Sequence, residues 1–323
     1  MQITNLTKRI FVIINPISGT ASKEQLPALL DQYFSPDKFE KSLFYTEYRG
    51  HASELAKRAL DRQTDYVIAV GGDGTVNEVA RALVHSPATL GIIPMGSGNG
   101  LARELLIPMD VRKAMEVIAE ENITFIDYCK ANEHIFFCTC GLGFDALISE
   151  RFAGEKRRGA LMYVKNVIME YLKFQPEMYQ ITFEDQVFQK DAFLVTCANA
   201  SQYGNNAFIA PQASISDGMM DVTVLSPITP LDVAPLVVQL FTKQITKNSK
   251  IQQYRSRKIT LKRKKCGVMH IDGEPIQMGE SVTVETFRNG LQVLVPRNPM
   301  PQVYDVPSFF SYITRWFEEK TKS

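Results

Sequence analysis

Apolar runs and helically spaced apolar residues alternate over the first part of the chain. Residues 10–15 and 66–70 are continuous apolar strands of the kind buried on both faces, and 42–46 and 90–94 read as further strands. Between them, Leu26, Leu29, Leu30 and Tyr33 share one helical face, as do Ala52, Leu55, Ala56 and Ala59, and then Val76, Val79, Ala80 and Leu83. Strand and helix in strict succession predict a doubly wound parallel α/β sheet over residues 1–128.

From about Phe125 the rhythm shortens. Residues 135–140, 180–183, 193–198, 220–225, 258–262, 268–271, 281–286 and 291–295 read as short strands. Several alternate, as in Lys258-Ile259-Thr260-Leu261-Lys262. That pattern predicts an antiparallel β-sandwich over residues 129–297. One helical insertion, 160–172, interrupts it and follows the basic run Lys156-Arg157-Arg158. Beyond Pro307, the residues Phe309, Tyr312, Ile313, Trp316 and Phe317 fall on one helical face, so 298–323 are expected to pack back on the first domain.

Composition narrows the classes. A chain of 323 residues exceeds the usual single core, in keeping with two domains. A formal net charge of +1 argues against a nucleic-acid partner. The five cysteines lack paired spacing, which points away from a disulfide framework or zinc and toward the cytoplasm. Cys138 and Cys140 read as packing residues. His51, His85, His134 and His270 lack metal-ligand spacing, and only His270, close to Asp272, invites a role. The basic run 262–265 reads as a solvated strand end. No window is apolar enough to span a bilayer, so membrane contact is expected to be peripheral.

The chemistry concentrates in glycine turns at the carboxyl ends of the parallel strands: NPISG (15–19), GGDGT (71–75) and GSGNG (96–100). Ligands of open α/β sheets bind in that crevice, and glycines let backbone amides approach an anion. Thr75 and Glu78 have capping-box spacing, which predicts a helix start at the end of GGDGT. Neither a Walker loop nor a dinucleotide fingerprint is present. A carboxylate, Asp73, beside a polyphosphate suggests a divalent cation or proton handling, hence phosphoryl transfer.

GGDGTVNE and PMGSGNGLAR resemble the diacylglycerol kinase catalytic family, which includes bacterial lipid kinases and sphingoid-base kinases. NPISG, Thr46, GLGFDA (141–146), SISDGMMDV (214–222) and IDGEP (271–275) follow the family order over most of the chain. The resemblance implies an ATP site at Asn15, Ser18, Gly19, Thr46, Gly71, Gly72, Asp73, Gly74, Thr75, Asn77, Glu78, Ser97, Gly98 and Asn99. It implies a general base at Asp272 or Glu274, with Asp73 organising Mg2+. Asp217 with the carbonyls of Ser214 and Met219 matches a magnesium site of bacterial members, and Asp145 matches a position near the lipid headgroup. On residues alone, Asp272-Gly273 and Asp217-Gly218 are also plain turns. GSGNG is closer to the sphingoid-base branch than to the GTAND or GTTND of many bacterial glycerolipid kinases.

The expected activity is ATP- and Mg2+-dependent phosphorylation of a lipid alcohol at a membrane surface. Segment 160–174 is a candidate lid over an acyl chain. The acceptor and the oligomeric state stay open, a homodimer among the options. The competing readings are a small-molecule kinase of the NAD kinase or phosphofructokinase type and a non-catalytic nucleotide sensor.

Overall fold

The computed structural model describes residues 7–19, 23–152, 170, 171, 173–184 and 186–299. The expected terminal helix and basic run 156–158 lie outside the described residues, as does the helical insertion except for Glu170 and Tyr171.

Strands β1 (Lys8–Ile14), β2 (Phe39–Tyr45), β3 (Tyr66–Gly71) and β4 (Thr89–Pro94) form a parallel sheet in the order β2-β1-β3-β4. Every residue of β3 and β4 is buried, as a sheet covered on both faces requires. The cover comes from α1 (Leu26–Tyr33), α2 (His51–Asp61), α3 (Asp73–Leu83), the short α4 (Gly100–Glu104) and α5 (Val111–Ala119). Ala52, Leu55, Ala56 and Ala59 of α2 are buried, as their spacing predicts.

The two expected domains meet without a linker. β5 (Ile123–Ala131) and β16 (Ser281–Leu294) run antiparallel beside each other, with a register shift between Phe287 and Leu291. Near its end β16 pairs in parallel with β4, at Val293 opposite Leu90. Near its start it pairs antiparallel with β13 (Lys258–Lys262). β8 (Glu177–Phe183) and β9 (Gln186–Ala192) extend the sheet, and β6 (His134–Phe136) pairs with β5, giving ten strands.

A second, six-stranded sheet has the order β12 (Ile251–Ser256), β11 (Met220–Leu225), β10 (Leu194–Ala198), β7 (Thr139–Gly143), β14 (Gly267–Ile271), β15 (Glu274–Met278). Ile181, Ile259, Leu261 and Val284 from the large sheet interlock with Leu142, Val195, Val222 and Ile271 from the small one, which makes the sandwich core. The outer face of the small sheet carries a separate apolar layer. Phe193, Leu194 and Leu225 meet side chains of α6 (Phe144–Phe152) and α7 (Pro230–Phe241) there.

Several expectations change in detail. Residues 135–140 divide into β6 and β7, because the intervening amides bond to Asp272 instead of continuing a ladder. Segments 281–286 and 291–295 are one bulged strand. The basic run 262–265 is not wholly solvated. Arg263 is 9% exposed, and its guanidinium donates to the carbonyls of Gly267, Val268, Met278 and Gly279, closing the open end of hairpin β14–β15.

The junction is locked by Asp127 on β5, which is fully buried. Its Oδ1 accepts from Asn289 N on β16 at 2.8 Å and its Oδ2 from Gly218 N at 2.6 Å. Beside it, His85 N donates to Gly290 O, and the Tyr128 ring fills the space that a side chain at Gly290 would need. Asp127→Ala leaves the buried Gly218 N–H and the Asn289 N–H without their acceptor, so denaturant unfolding should show a loss of about 2–4 kcal/mol. Asp127→Asn, which keeps one acceptor, should recover about half of it.

Candidate active site

β1, β3 and β4 end side by side, and their turns touch. Gly19, in the left-handed region at φ 65°, lies so close to Met95 that a Cβ would sit 2.0 Å from the Met95 carbonyl oxygen. A Cβ on Gly96 would sit 2.7 Å from the Cα of Gly72. Glycine is required at both contacts for the turns to converge.

The helix at GGDGT starts earlier than its capping-box spacing predicts. Gly72 is the N-cap of α3 and Asp73 its first residue. Glu78 does not reach back within α3. It crosses to the start of α2, where Oε1 accepts from Gly50 N at 2.9 Å and Oε2 from Ala52 N at 3.1 Å. The first-turn amides of α3 have no intrahelical partner and face the crevice with the positive end of the helix dipole.

Asp73 holds the neighbouring turn. Its Oδ1 accepts from Gly100 N at 2.6 Å and its Oδ2 from Asn99 N at 2.8 Å. Asn99 accepts from Gly96 N and donates to Gly96 O, both at 2.9 Å, and Arg103 Nε donates to Gly98 O at 2.9 Å. Asn15 ties the first turn to the second, donating from Nδ2 to Thr75 Oγ1 at 2.9 Å, and Ser18 Oγ donates to Asn15 O at 3.0 Å. The structure thus brings Asn15, Ser18, Gly19, Gly71 to Thr75, Ser97, Gly98 and Asn99 into one rim, with Thr46 at the end of the adjacent strand. Asn77 is buried, and Glu78 acts on α2. The sequence reading missed Lys23, whose ammonium donates to the carbonyls of Pro16 and Ser18; burial lowers its pKa.

Asp272 and Gly273, both at positive φ, make the two-residue turn between β14 and β15. The Asp272 carboxylate accepts from Cys138 N at 2.8 Å, Thr139 N at 3.0 Å and Phe137 N at 3.0 Å. Burial pushes its pKa up, against the pull of these amides and of Arg81. Glu274 pairs with Arg49 at 3.0 Å and with Arg81 of α3 at 3.5 Å, so the hairpin is tied to the first domain. Burial also pushes the Cys138 thiol well up, and the carboxylates of Asp272, Asp73 and Glu104 add to it. Asp272 of IDGEP and Asp73 of GGDGT therefore act on the same buried thiol.

On the outer face of the small sheet, Asp145 Oδ2 accepts from Thr196 Oγ1 at 2.8 Å and Tyr203 OH at 3.1 Å, and His270 Nε2 lies 3.1 Å away. Burial raises the Tyr203 pKa well above its usual value, with Asp145 adding to the effect. His270 is 2% exposed, and its Nδ1 has no hydrogen-bond partner among the described residues. Next to this polar cluster the rings of Phe144, Tyr171, Phe174 and Phe193 pack together, with centroids 4.7–6.4 Å apart. The cluster adjoins the glycine turns, for Asn205 N donates to Gly98 O at 3.1 Å and Gly100 lies against Tyr203 O.

Residues 9–131 match the diacylglycerol kinase catalytic domain, and 139–295 match the YegS C-terminal NAD kinase beta sandwich-like domain. The chain thus carries a diacylglycerol kinase catalytic domain followed by a YegS-type C-terminal domain. A diacylglycerol kinase of Bacillus subtilis is 28% identical over 305 residues, covering 92% of this chain and all of that protein. A probable lipid kinase YegS-like protein of Pectobacterium atrosepticum is 33% identical over 184 residues, covering 55% of this chain and 62% of that one. A crystal structure of a putative diacylglycerol kinase from Bacillus anthracis superposes with a TM-score of 0.73 at 20% identity, over 90% of this chain and 98% of that one, which shows the shared fold.

At Ser214, Asp217 and Met219, where the resemblance implies a magnesium site, Asp217 has protein partners of its own. Asp217 Oδ2 pairs with Arg255, its Oδ1 accepts from Met219 N at 2.9 Å, and its carbonyl accepts from Arg288. The set's single carboxylate is thus engaged by the guanidinium of Arg255. The glycine-turn architecture rests on Asp73. Asp73→Asn places an amide donor against a backbone N–H, so hydrogen exchange at Asn99 and Gly100 should accelerate about tenfold or more while global melting changes little.

Proposed function

We propose that the chain transfers the γ-phosphoryl group of ATP to the hydroxyl of a lipid alcohol. The observation that carries this reading is the placement of the Asp145–Thr196–Tyr203–His270 cluster between an aromatic layer and the glycine turns. A polar head beside an apolar body, one loop from a phosphate cradle, suits an amphiphilic acceptor. No helix among the described residues is long and apolar enough to cross a membrane, and the acceptor would be taken from a membrane surface.

In this reading the turns and the α3 N-terminus bind the phosphates, as amides and dipole favour. Asp73 retains a lone pair on each oxygen beyond its bonds to Asn99 and Gly100, so it fits the role of holding the nucleotide's magnesium ion. That ion, when bound, neutralises phosphate charge. Asp272 accepts the hydroxyl proton as the acceptor oxygen bonds to phosphorus and ADP leaves. Its Oδ2 accepts from one amide while Oδ1 accepts from two, which leaves Oδ2 the better placed for the proton. Glu274, held by Arg49 and Arg81, positions the hairpin.

The test is transfer from labelled ATP, with magnesium, to a panel of lipid alcohols in mixed micelles, with NAD and fructose 6-phosphate as further arms. Label in one lipid supports the reading; label only in a soluble acceptor, or binding without turnover, overturns it. Asp272→Asn should lower kcat by about 10²-fold or more with ADP affinity retained. Because burial raises the Asp272 pKa above its ordinary 3.8, the carboxylate protonates earlier on acidification. The acid limb of kcat should therefore lie above 3.8, with rate falling as pH falls through it.

A further inference from the structure

Three large apolar side chains are exposed at or just beyond the carboxyl ends of the neighbouring strands β1 and β2, on the edge that carries the glycine turns. Ile17 is 89% exposed, Tyr45 47% and Tyr48 54%. They occupy neighbouring strand ends, since Ile14 pairs with Tyr45 and Thr46 N donates to Ile14 O. Tyr48 is not a loose side chain. Its ring stacks on His51 with centroids 4.6 Å apart and planes 4° from parallel. Its hydroxyl donates to Glu54 at 2.7 Å, and Glu47 N donates to His51 Nδ1 at 3.1 Å. Glu78 fixes the backbone of the same loop through Gly50 and Ala52. Solvent therefore meets a rigid aromatic surface, where an ordinary surface loop carries polar residues.

We propose that Tyr48, backed by His51 and flanked by Ile17, is the platform on which the purine base of the nucleotide stacks. The proposal rests on the kinase reading above and goes beyond its phosphate contacts. A nucleotide with its phosphates over α3 has two directions in which to lay its base. Toward β4 the space is closed, because Gly204 packs on Gly98 and Tyr203 on Gly100. Toward β2 the strand order leads directly to Ile17 and Tyr48. A base offers a π-face that gains from stacking on a pre-organised ring, and a larger purine gains more than a pyrimidine.

Calorimetric titration with ADP in magnesium buffer, and separately with inorganic tripolyphosphate, tests this. Wild-type protein should bind ADP more tightly than CDP. Tyr48→Ala should weaken ADP roughly 5- to 100-fold, flatten the preference over CDP and leave tripolyphosphate affinity within about twofold. Tyr48→Phe, which loses the Glu54 bond but keeps the ring, should stay within about twofold of wild type. Ile17→Ser, outside the stack, should weaken ADP but not tripolyphosphate. Unchanged ADP affinity in Tyr48→Ala overturns the proposal and leaves the kinase reading standing. Equal loss of ADP and tripolyphosphate overturns it too, by showing that the loop has collapsed. Wild-type protein that binds neither probe overturns the kinase reading and the platform with it.

Discussion

The β5–β16 ladder is the constraint on which the rest of the molecule depends. β16 hydrogen-bonds with β4 at one end and with β13 at the other, so both units hang on the same antiparallel pair. A flexible linker would leave their relative placement to side chains alone, with the motion expected between loosely joined domains. Here a backbone ladder fixes it. That shared frame is why Asp272, at the tip of a hairpin in the second unit, is held by the amides of Phe137 to Thr139 while Glu274 of the same hairpin reaches Arg49 and Arg81 in the first. The bulge between Phe287 and Leu291 matters for the same reason. It turns Asn289 N toward Asp127, which also holds Gly218. Bulges commonly re-aim a strand near a functional site.

A single chemical device recurs around the cleft: a carboxylate that accepts from backbone amides. Asp73 takes Asn99 and Gly100, Glu78 takes Gly50 and Ala52, Asp127 takes Asn289 and Gly218, and Asp272 takes three successive amides from Phe137 to Thr139. Glu104 does the same for Ser201 N and adds its hydroxyl. Each pairing satisfies donors that irregular backbone would otherwise leave unpaired, and hydrogen bonds to a charged acceptor are stronger than neutral ones. Loops bound in this way hold their shape before a ligand arrives, so less ordering accompanies binding. For Asp73 and Asp272 the same oxygens retain acceptor capacity, so one carboxylate can brace a loop and still face a reaction.

Much of this architecture was legible in the sequence, and the exceptions share a physical cause. The buried strands β1, β3 and β4 are written as apolar runs, and Ala52, Leu55, Ala56 and Ala59 mark the buried face of α2. By contrast β9 and β12, with sequences QVFQKDA and IQQYRS, are polar on both faces over most of their length and carry no alternation to detect. The glycine turns were visible as residues, but their holders were not. Asp73 and its acceptor role at Asn99 are 26 residues apart, and Asp272 and Phe137 are 135 apart. The Thr75–Glu78 spacing misled because a local pattern fits a capping box equally well whether or not a neighbouring helix start competes for the glutamate. Arg263 misled in the opposite sense, since three flanking lysines made a buried guanidinium look like part of a solvated run.

The Asp145 cluster sets the two faces of the small sheet apart. On the inner face, Met269 and Ile271 join an apolar core, whereas the residue between them, His270, points outward to Asp145. A polar quartet placed inside an apolar layer costs desolvation that Leu or Val in the same positions would avoid. Folding alone gives no reason to keep it. Gly141 reinforces the point, because a Cβ there would lie 2.3 Å from Asp145 Oδ2 and 2.8 Å from His270 Nε2, so the strand forgoes a side chain to make room for the pair. Such a concession at a position joined to the glycine turns through Tyr203 supports the proposed polar-headgroup site. In the proposed reading, the aromatic layer beside it, and not the sandwich core, takes the acceptor's apolar body.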